Sequence, residues 1–116
     1  MRGYGLSPDD FKKTLLNAIE EGLSSLGDSS MEAIFYHVED SFQLRKEDIP
    51  SNLTEFKQAL ERIFGPGTPY LEKIIAKCLY ERLELDFEEA EFVDLATHVD
   101  DAKKRIITEV EVKQDG

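Results

Sequence analysis

The stretch Ile63-Phe64-Gly65-Pro66-Gly67-Thr68-Pro69 holds the clearest stop and start signals of this chain. Gly65 is typical of the residue that ends a helix. Thr68 is a typical N-cap, and Pro69 suits the first turn of the next helix, where its missing N–H costs no hydrogen bond. The stretch therefore predicts two helices joined by a tight turn.

Similar start signals and helical spacing of apolar residues extend in both directions from this turn. The predicted caps are Ser7, Ser29, Asn52, Thr68 and Asp86, with Glu32 and Glu55 completing capping boxes. The apolar stripes are Phe11, Leu15, Ala18, Ile19, Gly22 and Leu26; Met31, Ile34, Phe35, Val38 and Phe42; Phe56, Ala59, Leu60, Ile63 and Phe64; Leu71, Ile74, Ile75, Cys78 and Leu79; and Phe92, Leu95, Ala96, Val99, Ala102 and Ile106. The first stripe is widened by its neighbours Leu16 and Leu23, so the first helix is either central or also faces another subunit.

The end of the chain is ambiguous, because residues 106–113 alternate as a strand would. A lone strand has no partner here unless a second chain supplies one, so a longer helix ending in a loose tail is favoured. We predict an all-α fold, a compact bundle of about five short amphipathic helices. Residues 7–105 form its single domain, with a flexible N-terminus at 1–6 and a flexible C-terminal tail at 106–116.

Composition narrows the classes of partner. The chain has 116 residues, with 25 acidic against 14 basic side chains and a net charge of −11. Nucleic acid and anionic membranes repel such a chain, and its basic runs, Lys12-Lys13 and Lys103-Lys104-Arg105, are short. The single cysteine indicates a reducing compartment, and no run is apolar enough for a signal peptide or a membrane span. We expect a cytoplasmic protein that binds neither nucleic acid nor membrane.

Two histidines and the cysteine are the candidates for chemistry. Asp94, His98 and Asp101 share one side of a helix at i, i+4 and i+7, which could bind a divalent metal. They also fit the solvated face of that helix. His37 flanks the stripe of the second helix, and Cys78 lies in phase with core residues. We expect no catalytic site, no metal and no cofactor; the alternative is a metal- or ligand-binding enzyme that uses His37 or His98.

Apolar and aromatic residues outside the stripes are the remaining signal. Such residues are the usual material of protein interfaces, although further helices of the same chain could also cover them. The sequence therefore predicts a non-catalytic protein-interaction module, whose partner is another protein or a second copy in a homodimer. The predicted partner-binding residues are Leu16, Leu23, Tyr70 and Tyr80.

The second to fourth helices resemble an uncharacterised family, the archaeal signal-transduction output domains of the Nitrosopumilus type. The matching residues are Ala33-Ile34-Phe35-Tyr36-His37-Val38-Glu39, Phe42-Gln43-Leu44, Glu47-Asp48-Ile49-Pro50, Phe56, Ala59-Leu60-Glu61, Ile63-Phe64-Gly65, Gly67 and Leu71-Glu72. The similarity covers about residues 11–103 and implies a cytoplasmic regulatory or interaction module from an archaeon. The chain leaves no room for a sensor or receiver domain, so a freestanding adaptor is equally compatible. Abundant Glu, few Asn and no Trp are in line with a thermophilic source.

Overall fold

The computed structural model describes residues 7–88 and 93–115, and the side chains among them up to residue 106. These residues form five α-helices and two short 3₁₀ helices, without a strand. The α-helices are α1 (Pro8–Ser24), α2 (Asp28–Phe42), α3 (Leu53–Phe64), α4 (Thr68–Arg82) and α5 (Leu95–Asp115), and the 3₁₀ helices are Lys46–Ser51 and Gly65–Gly67. The predicted all-α bundle is therefore confirmed for this part of the chain. The predicted flexible N-terminus, residues 1–6, lies outside the described residues.

Helix α1 is central to the bundle. It packs most extensively against α4 and also against α2 and the 3₁₀ helix Lys46–Ser51. Its buried residues are Phe11, Leu15, Ala18, Ile19, Gly22 and Leu23. Other elements of the same chain thus cover much of the wide apolar face of α1. This agrees with the alternative in which α1 is the central helix.

A glycine sets the distance between α1 and α4. A Cβ placed on Gly22 would lie 2.6 Å from Cγ1 of Ile75 and 3.2 Å from its Cα. These distances leave no space for a side chain, so the two helix backbones approach closely because position 22 is glycine.

The start of α1 follows the sequence prediction, whereas the start of α2 does not. Ser7 caps α1, since its Oγ accepts a hydrogen bond from the Asp10 N–H at 3.0 Å. The predicted cap Ser29 lies inside the first turn of α2, which begins at Asp28. Gly27 is the reason: its φ of 109° turns the chain into the helix earlier than Ser29 would.

The turn between α3 and α4 is tighter than predicted. Gly65 ends α3 with a positive φ of 56°, as its position predicted, and is also the first residue of the 3₁₀ helix Gly65–Gly67. Gly67 takes the N-cap position of α4, so Thr68 already lies in the helix and does not cap it. The Thr68 hydroxyl is buried and has no hydrogen-bond partner among the described residues.

The segment 45–50, predicted as a polar connection, is mostly a 3₁₀ helix that reaches the core. Ile49 in this segment is fully buried. Asn52 takes the N-cap position of α3 as predicted, but its side chain donates to the Asp48 carbonyl at 2.8 Å and makes no capping bond. The amide of Asn52 therefore closes the 3₁₀ helix.

Helix α5 starts later and extends further than the sequence indicated. Asp94 caps it, accepting a hydrogen bond from the Thr97 N–H at 2.9 Å, so the predicted cap Asp86 is wrong. Phe92, assigned to this helix from the sequence, lies outside the described residues. The backbone is helical through Asp115, which confirms the longer helix and excludes the strand; the looseness of its end stays a prediction. Ile106, placed in the tail, is buried in the core.

Among the described residues, no helix combines the length and the apolarity that crossing a membrane requires.

Candidate functional site

The four predicted partner-binding residues lie in three different environments. Leu23 is 0% exposed and Tyr80 is 1% exposed, so the expectation that they face outward is wrong. Leu23 is covered because α1 is enclosed by its neighbours, and Tyr80 because α5 packs over it. Leu16 is half-buried. Only Tyr70, at the start of α4, is well exposed, at 72%.

The hydroxyl of Tyr80 joins α4 to α5. It donates toward two acceptors, the Asp101 carboxylate at 2.6 Å and the His98 carbonyl at 3.0 Å. Burial, together with the negative charge of Asp101, raises the pKa of Tyr80. Arg105 adds its guanidinium over the Tyr80 ring at 5.6 Å and pairs with Asp101 at 3.1 Å. Tyr80 therefore stabilises the contact between α4 and α5 and does not face a binding partner.

A second polar cluster fixes the first turn of α5. The buried carboxylate of Glu72 accepts a hydrogen bond from the Leu95 N–H at 3.3 Å, and Lys57 pairs with Asp94 at 3.3 Å. Burial raises the pKa of Glu72, and the bond from Leu95 and the charge of Lys57 oppose that rise. The pKa of Asp94 is lowered, mainly by its hydrogen bonds from Thr97. Both acids accept backbone hydrogen bonds at the start of α5, but only Asp94 is favoured in its charged form.

The two histidines lie in unlike environments. His37 is exposed on α2, and its described ring neighbour is Tyr36, with centroids 6.0 Å apart. His98 is buried between the rings of Tyr80 and Phe87, whose centroids lie 5.9 and 5.0 Å away. Burial lowers the pKa of His98, although Asp101 and Asp94 act in the opposite direction.

The proposed metal ligands are used in other contacts. Asp94 caps α5 and pairs with Lys57, while Asp101 accepts from Tyr80 and pairs with Arg105. Within residues 7–88 and 93–106, no group of three or more histidine, cysteine or acidic side chains is arranged to hold a metal ion. The predicted solvated face is only partly correct, because His98 is buried.

Cys78 is half-buried and packs against the core, close to its predicted role. Burial and the neighbouring carboxylates of Glu21 and Glu81 raise the pKa of its thiol. A raised pKa lowers the fraction of thiolate, which is the nucleophilic form. The environment of Cys78 therefore disfavours nucleophilic chemistry.

A groove on the outer face of α2 is the surface most like a protein interface. It has a volume of about 580 Å³ and is formed by α2 and the start of the 3₁₀ helix Lys46–Ser51. We call it the α2 groove. Its lining residues are Met31, Glu32, Phe35, Tyr36, Glu39, Arg45, Lys46 and Glu47. Tyr36 is 67% exposed. Tyr, Phe, Met and Arg are enriched in interfaces, and charged side chains of both signs surround them here.

Contacts with neighbouring elements hold one wall of the α2 groove in place. Lys46 is bound to Glu20 of α1 at 2.7 Å, and this hydrogen bond raises the pKa of Lys46. The same ammonium group lies 5.4 Å from the ring centre of Phe35. Side chains already ordered before binding lose less entropy when a partner arrives.

The sequence prediction missed this groove because Met31 and Phe35 belong to the apolar stripe of α2. In the structure both are only partly buried, and the stripe buries Ile34 and Val38 instead. Tyr36 lies outside that stripe, and this was the one signal in the sequence that could have identified it.

No family model, curated protein or solved structure matches this chain, whose described residues define an all-α helical bundle. The resemblance to archaeal signal-transduction output domains therefore stays a prediction.

Proposed function

We propose that this chain is a non-catalytic protein-interaction module that binds its partner through the α2 groove. One observation carries the proposal: Tyr36 is 67% exposed beside Met31 and Phe35, which pack against the core and yet are only partly buried. An exposed tyrosine next to apolar side chains and an arginine is typical of the residues that dominate binding energy. A regulatory role, such as signal output, would be one use of such a module.

The partner is a second protein or a second copy of this chain. The α2 groove carries Arg45 and Lys46 as well as Glu32, Glu39 and Glu47, so it offers charges of both signs to a partner. A two-fold dimer would place the same groove on both sides of the interface. The net charge of −11 opposes self-association, so we favour a different protein as partner.

The alternative, a metal- or ligand-binding enzyme built on His37 or His98, has no supporting geometry among the described residues. His37 is exposed, His98 is enclosed by aromatic rings, and the carboxylates near His98 have other partners. We therefore propose no reaction for this chain.

The experiment compares two tyrosines of similar exposure. Tyr36→Ala and Tyr70→Ala each remove an exposed ring, so neither change should unfold the protein. Affinity for a partner isolated with the wild-type chain is measured by calorimetry, and light scattering gives the mass of the free chain. We expect Tyr36→Ala to weaken binding by about 30-fold, as for a residue worth about 2 kcal/mol, and Tyr70→Ala by less than about threefold.

The two variants also separate the possible failures. If only Tyr70→Ala lost affinity, the chain would still be an interaction module, but its binding surface would lie at the start of α4 and not at the α2 groove. A monomeric chain that yields no partner, or whose partner tolerates both changes, would contradict the proposal. A wild-type dimer that Tyr36→Ala converts to a monomer would identify the partner as a second copy.

A further inference from the structure

A second groove lies where α1, the 3₁₀ helix Lys46–Ser51 and α5 meet. Its volume is about 590 Å³, within the range of roughly 300–1,000 Å³ that is common for small-molecule sites. Its apolar lining consists of Pro8, Phe11, Leu15, Pro50 and Ile106. Lys12 and Lys103 complete the charged part of the lining, and we call this site the lysine groove.

The lysine groove brings together the two short basic runs of the sequence. Lys12 belongs to the first run and Lys103 to the second, more than 90 positions later. The Lys103 ammonium lies 5.4 Å from the ring centre of Phe11, so the second run reaches α1 directly. No acidic side chain is among the described lining residues, although the chain has 25 of them.

The lysines of this groove differ from most other cations of the described surface. Six of the other described cations pair with a described carboxylate, namely Arg45, Lys46, Lys57, Arg82, Lys104 and Arg105. Neither Lys12 nor Lys103 forms an ion pair with another described residue. Both side chains are exposed to water, and two such ammonium groups beside an apolar groove attract a ligand that carries a negative charge.

We propose that the lysine groove binds an amphiphilic carboxylate, a small molecule with an apolar body and one carboxylate group. The body would lie against Pro8, Pro50 and the exposed edge of Phe11, and the carboxylate would bind Lys12 and Lys103. Ser7 already caps the first turn of α1, so the lysines supply the charge rather than the helix N-terminus. The groove is separate from the α2 groove, and the proposal does not depend on the proposed function.

Decanoate, used below the concentration at which it forms micelles, is the probe that tests this inference. Its titration is followed by amide NMR spectra of the full chain. We expect saturable shifts at the start of α1, at residues 50–51 and around residue 103. Decanol and decylammonium have the same chain without the negative charge, so they should bind at least about tenfold more weakly. Acetate, which lacks the apolar body, should cause no saturable shift.

Two double variants with the same change in net charge provide the matched comparison. Lys12→Met with Lys103→Met removes both charges of the groove and keeps an unbranched side chain that is shorter by one atom. Lys13→Met with Lys104→Met changes the next residue on each helix, and neither of these lines the groove. We expect the first pair to weaken decanoate binding by about tenfold or more and the second by less than about twofold.

The remaining outcomes contradict the proposal. Decanoate that fails to saturate, or that binds the two double variants equally well, would show that the lysines hold no such ligand. Decanol binding as tightly as decanoate would reduce the site to a non-specific apolar cavity. An acidic amphipathic peptide that saturates the groove when decanoate does not would identify it as a docking site for a protein.

Discussion

The contact of α4 with α1 and its contact with α5 are built from different materials. Toward α1, helix α4 is in close apolar contact, with Ile75 against the bare backbone of Gly22. Toward α5, it uses the carboxylate of Glu72 and the hydroxyl of Tyr80, which bind the Leu95 N–H and the Asp101 carboxylate. The first contact depends mainly on shape, with one solvent-exposed ion pair between Arg82 and Glu21 at 3.0 Å, whereas the second depends on buried hydrogen bonds and charges.

The difference shows how each contact responds to change. Close packing tolerates little added volume and is insensitive to pH. Buried polar contacts fix the position and orientation of a helix, but each depends on a particular partner and on its protonation state. We therefore expect steric changes to act on α1–α4 and changes of hydrogen bonding or pH to act on α4–α5.

The largest expected effect comes from adding one methyl group at the α1–α4 contact. Gly22→Ala places a Cβ 2.6 Å from Cγ1 of Ile75 and 3.2 Å from its Cα, so one of the helices has to move. Overpacking of this kind costs about 1–3 kcal/mol, and the better helix propensity of alanine returns up to about 1 kcal/mol. We expect the free energy of unfolding to fall by about 1–2 kcal/mol in urea denaturation.

Gly67→Ala is the matched control for this prediction. Its new Cβ would lie 3.9 Å from the nearest Cβ, that of Phe64, and Gly67 has an ordinary φ of −78°. We expect its stability to be unchanged or slightly higher. Equal loss of stability in both variants would mean that the α1–α4 distance is not set by Gly22.

The sequence identified features that depend on neighbours along the chain. Ser7 caps α1 and Gly65 ends α3, because each signal acts within a few residues. The start of α5 could not be decided in this way, since Asp86 and Asp94 are both plausible caps. Asp94 also pairs with Lys57, which is 37 positions away.

The candidate binding sites were harder to predict for the same reason. Periodicity placed Tyr80 off the main stripe of α4, but it could not show that α5 covers that side and makes Tyr80 part of the core. Likewise, Lys12 and Lys103 were seen as separate short runs, because only the fold places both in one groove. Of the four predicted partner-binding residues, Tyr70 is the one that is well exposed in the structure.

A smaller effect is expected from removing one oxygen atom at the α4–α5 contact. Tyr80→Phe keeps the ring against His98 and Phe87 but deletes the hydroxyl that binds Asp101 and the His98 carbonyl. Such a bond is worth about 1 kcal/mol, and Asp101 keeps its ion pair with Arg105. We expect a loss of about 1 kcal/mol in urea denaturation.

Tyr70→Phe serves as the control for Tyr80→Phe, because it deletes the same atom from an exposed ring. No measurable loss is expected there. If Tyr80→Phe were equally silent, the hydroxyl would contribute nothing to α4–α5, and the contrast between the two contacts of α4 would lose its main support.

The smallest effect is expected at Glu72, where the substitution should raise the free energy of unfolding and not lower it. Burial raises the pKa of Glu72 above its usual 4.5, so the folded state binds a proton more readily than the unfolded state. Its contribution to stability is therefore present below about pH 4.5 and is lost as the pH rises through the folded-state pKa. Glu72→Gln retains an oxygen that accepts from the Leu95 N–H but carries no buried charge. We expect it to be more stable than the wild type at pH 7, by about 0.5 kcal/mol.

This gain should shrink as the pH falls toward 4.5, because the wild-type carboxyl then becomes neutral as well. Burial also lowers the pKa of His98, so acidification destabilises the protein through His98 in the variant and the wild type alike. Only the difference in stability between the two proteins therefore reports on Glu72. Glu81→Gln, an exposed position on the same helix, should show no such pH-dependent gain. A Glu72→Gln protein that is less stable than the wild type at pH 7 would contradict this prediction. It would show that the charge of Lys57 and the hydrogen bond from the Leu95 N–H more than offset the cost of burying the carboxylate. The ionised Glu72 would then stabilise the α4–α5 contact.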